Sequence, residues 1–214
     1  METFGYAGKI LRVDLSSGNT ETADTMDYAD RFLGGRGFAA KVCWDEVPPE
    51  VGALDEENRI VFACGPLCGL SGLGSSRWVV CGKSPYSTPD HFNYSNMGGN
   101  WGSALKFAGY DAVVVSGKSD RPVYLLLHDG IVEFKDAAAL WGKGAIEARE
   151  MLKKMEGQSV RVVGIGPAGE NMAVTAIVQA DNDASGTGGL GAVMGSKNLK
   201  AIVVKSERKK VRVA

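Results

Sequence analysis

Two loops of this chain mix Asn, Asp and Ser with glycine: Asn93-Tyr94-Ser95-Asn96-Met97-Gly98-Gly99 and Asp181-Asn182-Asp183-Ala184-Ser185-Gly186-Thr187-Gly188-Gly189. Such residues favour turns that leave backbone N–H and C=O groups exposed. Exposed carbonyls are hard oxygen ligands, suited to a Mg²⁺ ion that also touches phosphate. One such loop would read as an ordinary solvated turn. Two at equivalent places point to a two-fold site, for a ligand that itself has two similar halves. A third stretch, Ser71-Gly72-Leu73-Gly74-Ser75-Ser76-Arg77, could offer N–H groups and the Arg77 guanidinium to an anion. By itself it reads equally as an exposed loop with a surface arginine.

Side-chain chemistry is not evident. There is no Ser/His/Asp set with an elbow motif, and neither His91 nor His128 has a persuasive partner. Asp45, Asp111 and Glu170 read as surface or turn residues. The spacing Cys64-x3-Cys68 suits neither zinc nor an iron–sulfur cluster. Cys43, Cys64 and Cys81 read as small core residues, with all four cysteines, including Cys68, reduced. Gly164-Ile165-Gly166-Pro167-Ala168-Gly169 matches G-x-G-x-x-G, but a dinucleotide site needs a helix next and an acid about 20 residues on. Residues 172–179 read as a strand and Gly189 stands where the acid should be, so a tight Gly-Pro turn explains the glycines better.

The elements that must position the loops also occur twice. From Gly102 against Gly191 to Val115 against Val204 the offset is a constant 89 (191 − 102 = 204 − 115). Both copies read as a glycine loop running into a buried strand. Upstream, Leu33-Gly34-Gly35-Arg36-Gly37 resembles Leu140-Trp141-Gly142-Lys143-Gly144. Each follows a hairpin pattern, with strands 9–15 and 20–23 around Ser17-Gly18-Asn19, and strands 122–127 and 131–135 around Asp129-Gly130. A helix follows each glycine cluster, over 38–44 and 145–155. The next strand ends in Gly-Pro both times. The expected fold class is α+β: two similar β-rich halves from an internal duplication, each with strands plus one helix.

A chain of 214 residues holds one large domain or two small ones. With 44% hydrophobic and 23% charged residues it is an ordinary globular composition. The net charge of −1 gives no general attraction to nucleic acid or anionic membrane. No apolar run approaches the roughly 20 residues that span a bilayer, and Met1-Glu2-Thr3-Phe4 lacks signal-peptide features. The expectation is a cytoplasmic chain with no nucleic-acid or membrane partner. Arg208-Lys209-Lys210-Val211-Arg212 reads as a short solvated tail. Glycine is the outlier, at 29 residues. Glycine lets backbone approach a ligand closely, so the residues point to a backbone-built site for a phosphorylated, two-lobed ligand.

Five motifs together resemble the N-terminal domain of the tungsten-containing aldehyde ferredoxin oxidoreductase family. They are the segment from Gly5-Tyr6-Ala7-Gly8-Lys9 to Leu15, Leu33-Gly34-Gly35-Arg36-Gly37, Leu105-Lys106-Phe107-Ala108-Gly109-Tyr110-Asp111, Ile165-Gly166-Pro167-Ala168-Gly169-Glu170-Asn171, and Gly191-Ala192-Val193-Met194-Gly195-Ser196-Lys197-Asn198-Leu199-Lys200-Ala201. The resemblance covers about residues 4–206. It implies a domain at 1–206, internal repeats at about 5–118 and 119–206, and a basic tail at 207–214. It further implies that the two halves form a base for a tungsten (or molybdenum) bis-pyranopterin cofactor with pseudo-two-fold pterins. A Mg²⁺ bridging the pterin phosphates is then held by backbone carbonyls, which by motif belong to Asn96 and Ala184. Arg77, Gly98 and Gly186 fall at pterin-contacting positions. Asp183 and Thr187 stand at cofactor positions where family members often carry basic residues, which removes positive charge near phosphate.

Family enzymes are several-fold longer. Two helical domains follow, carrying the cysteines of an iron–sulfur cluster, the substrate channel and proton-transfer residues. None of Cys43, Cys64, Cys68 or Cys81 matches that cluster motif. The implied function is the cofactor-binding module of an enzyme oxidising aldehydes to carboxylic acids with ferredoxin as acceptor. It is incomplete without the helical remainder or a separate cysteine-rich subunit, and carries no catalytic residue of its own. A partner chain or self-association through the cofactor face is expected. The alternative is a non-catalytic pterin-cofactor binding or assembly module, which Asp183 and Thr187 slightly favour.

Overall fold

The computed structural model describes residues 4–71, 74–128, 130–181, 184–207 and 210–213. Gly72 and Leu73, Asp129 of the second hairpin turn, Asn182 and Asp183 of the second loop, Arg208 and Lys209 of the basic run, residues 1–3 and Ala214 lie outside the described residues.

Strands β1 (Lys9–Asp14), β2 (Asn19–Asp24), β3 (Ile60–Cys64), β4 (Trp78–Ser84), β5 (His91–Met97) and β6 (Ala112–Ser116) form one sheet, in the order β2-β1-β6-β3-β4-β5. Strands β7 (Val123–His128), β8 (Ile131–Asp136), β9 (Arg161–Gly164), β10 (Val178–Ala180), β11 (Ala184–Gly186) and β12 (Leu199–Lys205) form the other, in the order β8-β7-β12-β9-β10-β11. Adding six to each strand number of the first order yields the second. The pairings agree as well. β1 with β6 and β7 with β12 are parallel, and every other neighbouring pair is antiparallel.

Helices α1 (Met26–Phe32) and α2 (Arg36–Glu46) belong to the first half, as does α3 (Trp101–Phe107). Helices α4 (Ala145–Glu156), α5 (Pro167–Glu170) and α6 (Leu190–Ser196) belong to the second. The central strands are buried on both faces, which is why they read as unbroken apolar runs. Alternate residues go to different layers. Phe62 and Val113 join Leu125, Val163, Ile202, Trp78 and Trp101 in a core shared by the two sheets. Val61 and Val114 face the other way, against Phe38, Ala39 and Val42 of α2. On the far side, Ala148 and Leu152 of α4 cover Tyr124, Leu126, Val162 and Val203. Trp101 of α3 donates its indole N–H to the Ile202 carbonyl of β12 at 3.1 Å, tying the halves together inside the shared core.

Several expectations change. What read as two glycine loops contains α3 and α6, and the Asx-rich stretches before them contain β5 and β11. The glycines mislead because they serve close packing. A Cβ on Gly102 would lie 2.6 Å from the Trp78 ring, and one on Gly195 would collide with the Gly169 carbonyl. Each helix ends at a left-handed residue, Gly109 (φ 99) and Asn198 (φ 56), before its strand begins. The expected strand over 172–179 shrinks to its last residues, within β10. Local turns take up the backbone before it, with Ala173 N–H donating to the Ala168 carbonyl and Ala176 N–H to that of Ala173. A helix does open within the G-x-G-x-x-G motif, after Gly166, but it is α5, only four residues long and including Gly169. A Cβ on Gly169 would meet the Gly191 carbonyl oxygen at 2.9 Å, so this glycine packs α5 on α6.

Asp111 and Glu170 are not surface residues. Asp111 is fully buried, accepting from Ala7 and Gly8 N–H, the Thr25 hydroxyl and the Lys106 ammonium at 2.8 Å. Glu170 pairs with buried Lys200 and also accepts from Gly142 N–H at 2.8 Å. His128 pairs with Glu133 at 2.7 Å across the β7–β8 hairpin, and His91 lies within 3.1 Å of the Ser87 hydroxyl. The described end of the tail is largely exposed, as expected, and one backbone hydrogen bond ties it down, from Gly5 N–H to the Arg212 carbonyl at 2.8 Å. All four cysteines are free and buried.

Candidate functional site

Arg77 is exposed immediately before β4, and Gly98 follows β5, the edge strand paired with β4. The register sets Asn96 opposite Val79 and Met97 opposite Trp78. The indole N–H of Trp78 donates to the Gly98 carbonyl at 2.8 Å, which fixes the turn out of the sheet. A Cβ on Gly98 would have only Arg77 Nη1 near it, at 3.6 Å. The guanidinium therefore lies beside an open stretch of backbone.

The second half supplies the opposite wall. Ala184 and Gly186 belong to β11, held to β10 by the pairs Ala180–Ala184 and Val178–Gly186. Thr187 N–H donates to the Ser95 hydroxyl of β5 at 3.0 Å. The Gly188 carbonyl accepts from Ser84 at 2.5 Å and from the Asn93 side chain at 3.3 Å. The two loops are thus interlocked.

Arg77, Asn96, Gly98 and Ala184 share one cleft of about 480 Å³, whose wall also includes Gly74, Ser76, Gly99 and Ser185. Gly186 and Thr187 are not in that wall. Gly186 packs under it, where a Cβ would lie 2.7 Å from the Met97 sulfur, and Thr187 is tied back to Ser95. Asp183 is outside the described residues. Sequence reasoning did not single out Gly74, Ser76, Gly99 or Ser185. The small-residue loop before Arg77 and the repeated Asx/Gly pattern were the available signals, and they mark segments rather than individual residues.

The described wall of the cleft consists of small residues, Asn96, the Arg77 guanidinium and main-chain polar groups. Among the described residues no group of three or more His, Cys, Asp or Glu side chains could hold a metal ion. A hard cation here would rely on main-chain oxygens and on the oxygens of an anionic ligand, the donor set that suits Mg²⁺ with phosphate. Among the described residues the cleft offers no acid–base pair.

Residues 10–206 match the family described as aldehyde ferredoxin oxidoreductase, N-terminal domain. The chain belongs to this family. It is 45% identical over 214 residues to the tungsten-containing aldehyde ferredoxin oxidoreductase of Pyrococcus abyssi, covering 99% of this chain and 35% of that protein. It is 36% identical over 221 residues to a Pyrococcus furiosus aliphatic sulfonate oxidoreductase, WOR-like subunit, covering 94% of this chain and 35% of that protein. Among solved structures it superposes on the active site complex BamBC of benzoyl coenzyme A reductase in complex with 1,5-dienoyl-CoA, with a TM-score of 0.91 and 42% identity over 96% of this chain and 31% of that one. The chain is the N-terminal domain of an oxidoreductase family whose tungsten-containing members it matches over about a third of their length. Among the described residues no helix is long and apolar enough to cross a membrane.

Proposed function

We propose that this chain is the cofactor-binding module of a tungsten (or molybdenum) bis-pyranopterin oxidoreductase. The observation that supports this reading is the single polar cleft in which Arg77, Asn96, Gly98 and Ala184 converge from both halves. In this reading Arg77 binds a pterin phosphate by charge-assisted hydrogen bonds. The Asn96 and Ala184 carbonyls hold Mg²⁺ between the phosphates. Gly98 keeps the backbone slim enough for a pterin to approach, while Gly186 acts from beneath the wall by letting β11 pack on Met97. In this reading Asp183 and Thr187 give the second half-site less positive charge than the basic residues of family members would, Thr187 from behind the wall.

The metal–dithiolene centre supplies two-electron redox chemistry when bound, while the protein binds and orients it. The whole enzyme would oxidise an aldehyde to a carboxylic acid. Its electrons would leave through an iron–sulfur cluster, held by the helical remainder or a cysteine-rich subunit, to ferredoxin. The decisive test is elemental analysis of protein purified anaerobically with any partner retained. Tungsten or molybdenum accompanied by magnesium and pterin phosphorus is the expected result, with Arg77→Ala depleting all of them. A metal-free, pterin-free wild type would overturn the reading.

A further inference from the structure

Asp181 directly follows β10, three residues before Ala184, and its carboxylate lies behind the cleft wall against Gly99. It is 8% exposed and takes a left-handed backbone conformation, φ 49. Asp tolerates that region better than most residues, but it remains uncommon. Its main chain is anchored wholly in the second half. Its N–H donates to the Val162 carbonyl of β9 at 3.2 Å, and its carbonyl accepts from the guanidinium of Arg149 on α4. Arg149 is itself 8% exposed.

Its side chain crosses to the first half. Oδ2 accepts from Asn100 N–H and, at 3.0 Å, from Trp101 N–H, the first amides of α3. Glycine suits the residue before them, because Gly99 takes φ 73 and a Cβ there would lie 2.7 Å from that same oxygen. The strand that delivers Ala184 and the turn that carries Gly98 therefore meet on one carboxylate. Ser84, Asn93 and Ser95 brace the second loop from the first half, so Asp181 is the reciprocal brace.

We propose that Asp181 is a positioning residue that sets the first cleft loop, through Gly98 and Gly99, against the second loop. It would thereby fix the spacing of the two carbonyl positions that the proposed function assigns to Mg²⁺. This rests on that reading of the cleft. The carboxylate also occupies the first amides of α3, which directs an anionic ligand towards Arg77 instead.

The test compares wild type with Asp181→Ala, Asp181→Asn and Arg149→Met, each purified with its partner. Two quantities are read: amide hydrogen exchange at Asn100 and Trp101, and magnesium retention against EDTA. Asp181→Ala is expected to speed exchange at both amides and to weaken magnesium retention, each by about tenfold, the equivalent of one lost hydrogen bond. Thr187, braced by Ser95, should exchange as in wild type. Asp181→Asn keeps an acceptor oxygen and should restore both readouts. Arg149→Met, which touches Asp181 only through its carbonyl, should loosen Asn100 and Trp101 in the other half, and this variant decides the matter if Asp181→Ala does not fold. Faster exchange with full magnesium retention would reduce Asp181 to a helix cap and overturn the proposal. A wild type without magnesium and pterin phosphorus would overturn the cofactor reading instead, and the exchange data would still judge the brace.

Discussion

At the residue scale, the motifs that carry the family resemblance are largely buried ionic anchors. Lys106 and Asp111 are both fully buried and 2.8 Å apart, and the carboxylate gathers the segment at Ala7 and Gly8. Removing one member leaves an uncompensated buried charge, so Lys106→Met should cost about 3–5 kcal/mol in chemical denaturation. Lys197 donates to three carbonyls of the first half, those of Asp55, Glu56 and Gly117. Burial, then the neighbouring Arg59, brings its ammonium down to about 8 from an ordinary 10.5. Between those values the folded chain has released a proton that the unfolded chain still holds. Stability contributed by this group should therefore rise with pH from about 8 towards 10.5. Denaturant midpoints across that window check it, and Lys197→Met should remove that part of the slope. Burial raises the Cys43 thiol to about 12 and raises Cys81 as well. The Cys64 thiol donates to the Gly102 carbonyl at 3.4 Å; its interaction with neighbouring Cys68, together with burial, raises Cys64, and the same interaction lowers Cys68.

At the element scale, α3 and α6 are the helices between the sheets, and glycine lets them sit there. Gly102→Ala drives a methyl into the Trp78 ring, whose indole N–H also orients the Gly98 turn. Overpacking of this kind costs about 1–3 kcal/mol. The expected outcome is a lower melting temperature accompanied by weaker magnesium retention at the cleft. A surface substitution on α4, such as Lys154→Ala, should change neither. Sequence reading placed α2 and α4 after the right glycine clusters, because beyond Gly37 in the first turn of α2 neither helix contains glycine, whereas close-packed glycines interrupt α6. It left α3 and α6 as loops because Gly102, Gly191 and Gly195 carry no local sign of what presses against them.

At the scale of the whole molecule, each sheet has the same order but neither has its own complete core. Val13, Phe62 and Val113 need Leu125, Val163 and Ile202 across the interface. An isolated half, such as residues 119–206, should therefore fail to fold, giving poor amide dispersion by NMR. Mixing it with the other half should recover dispersion if the shared core is sufficient. The cleft lies at the same junction, with Arg77 and Gly98 from one half and Ala184 from the other. Its integrity should track the association of the halves.

The sequence by itself determined the α+β class, the two similar halves, the hairpins and the family. These follow from local patterns: apolar runs, Asx-Gly turns and a constant offset between equivalent segments. It also brought Arg77, Asn96, Gly98 and Ala184 forward through the resemblance. Only the tertiary structure decided that these four share one cleft, that Asp111 and Glu170 are buried partners of lysines, and that the 172–179 segment turns instead of extending. Each depends on what lies across the sheet interface, many residues away in the chain. Asp181 shows the reason most directly. Its neighbours in sequence suggest a turn, whereas its carboxylate acts on Asn100 and Trp101, which only the packing of the two halves brings within reach.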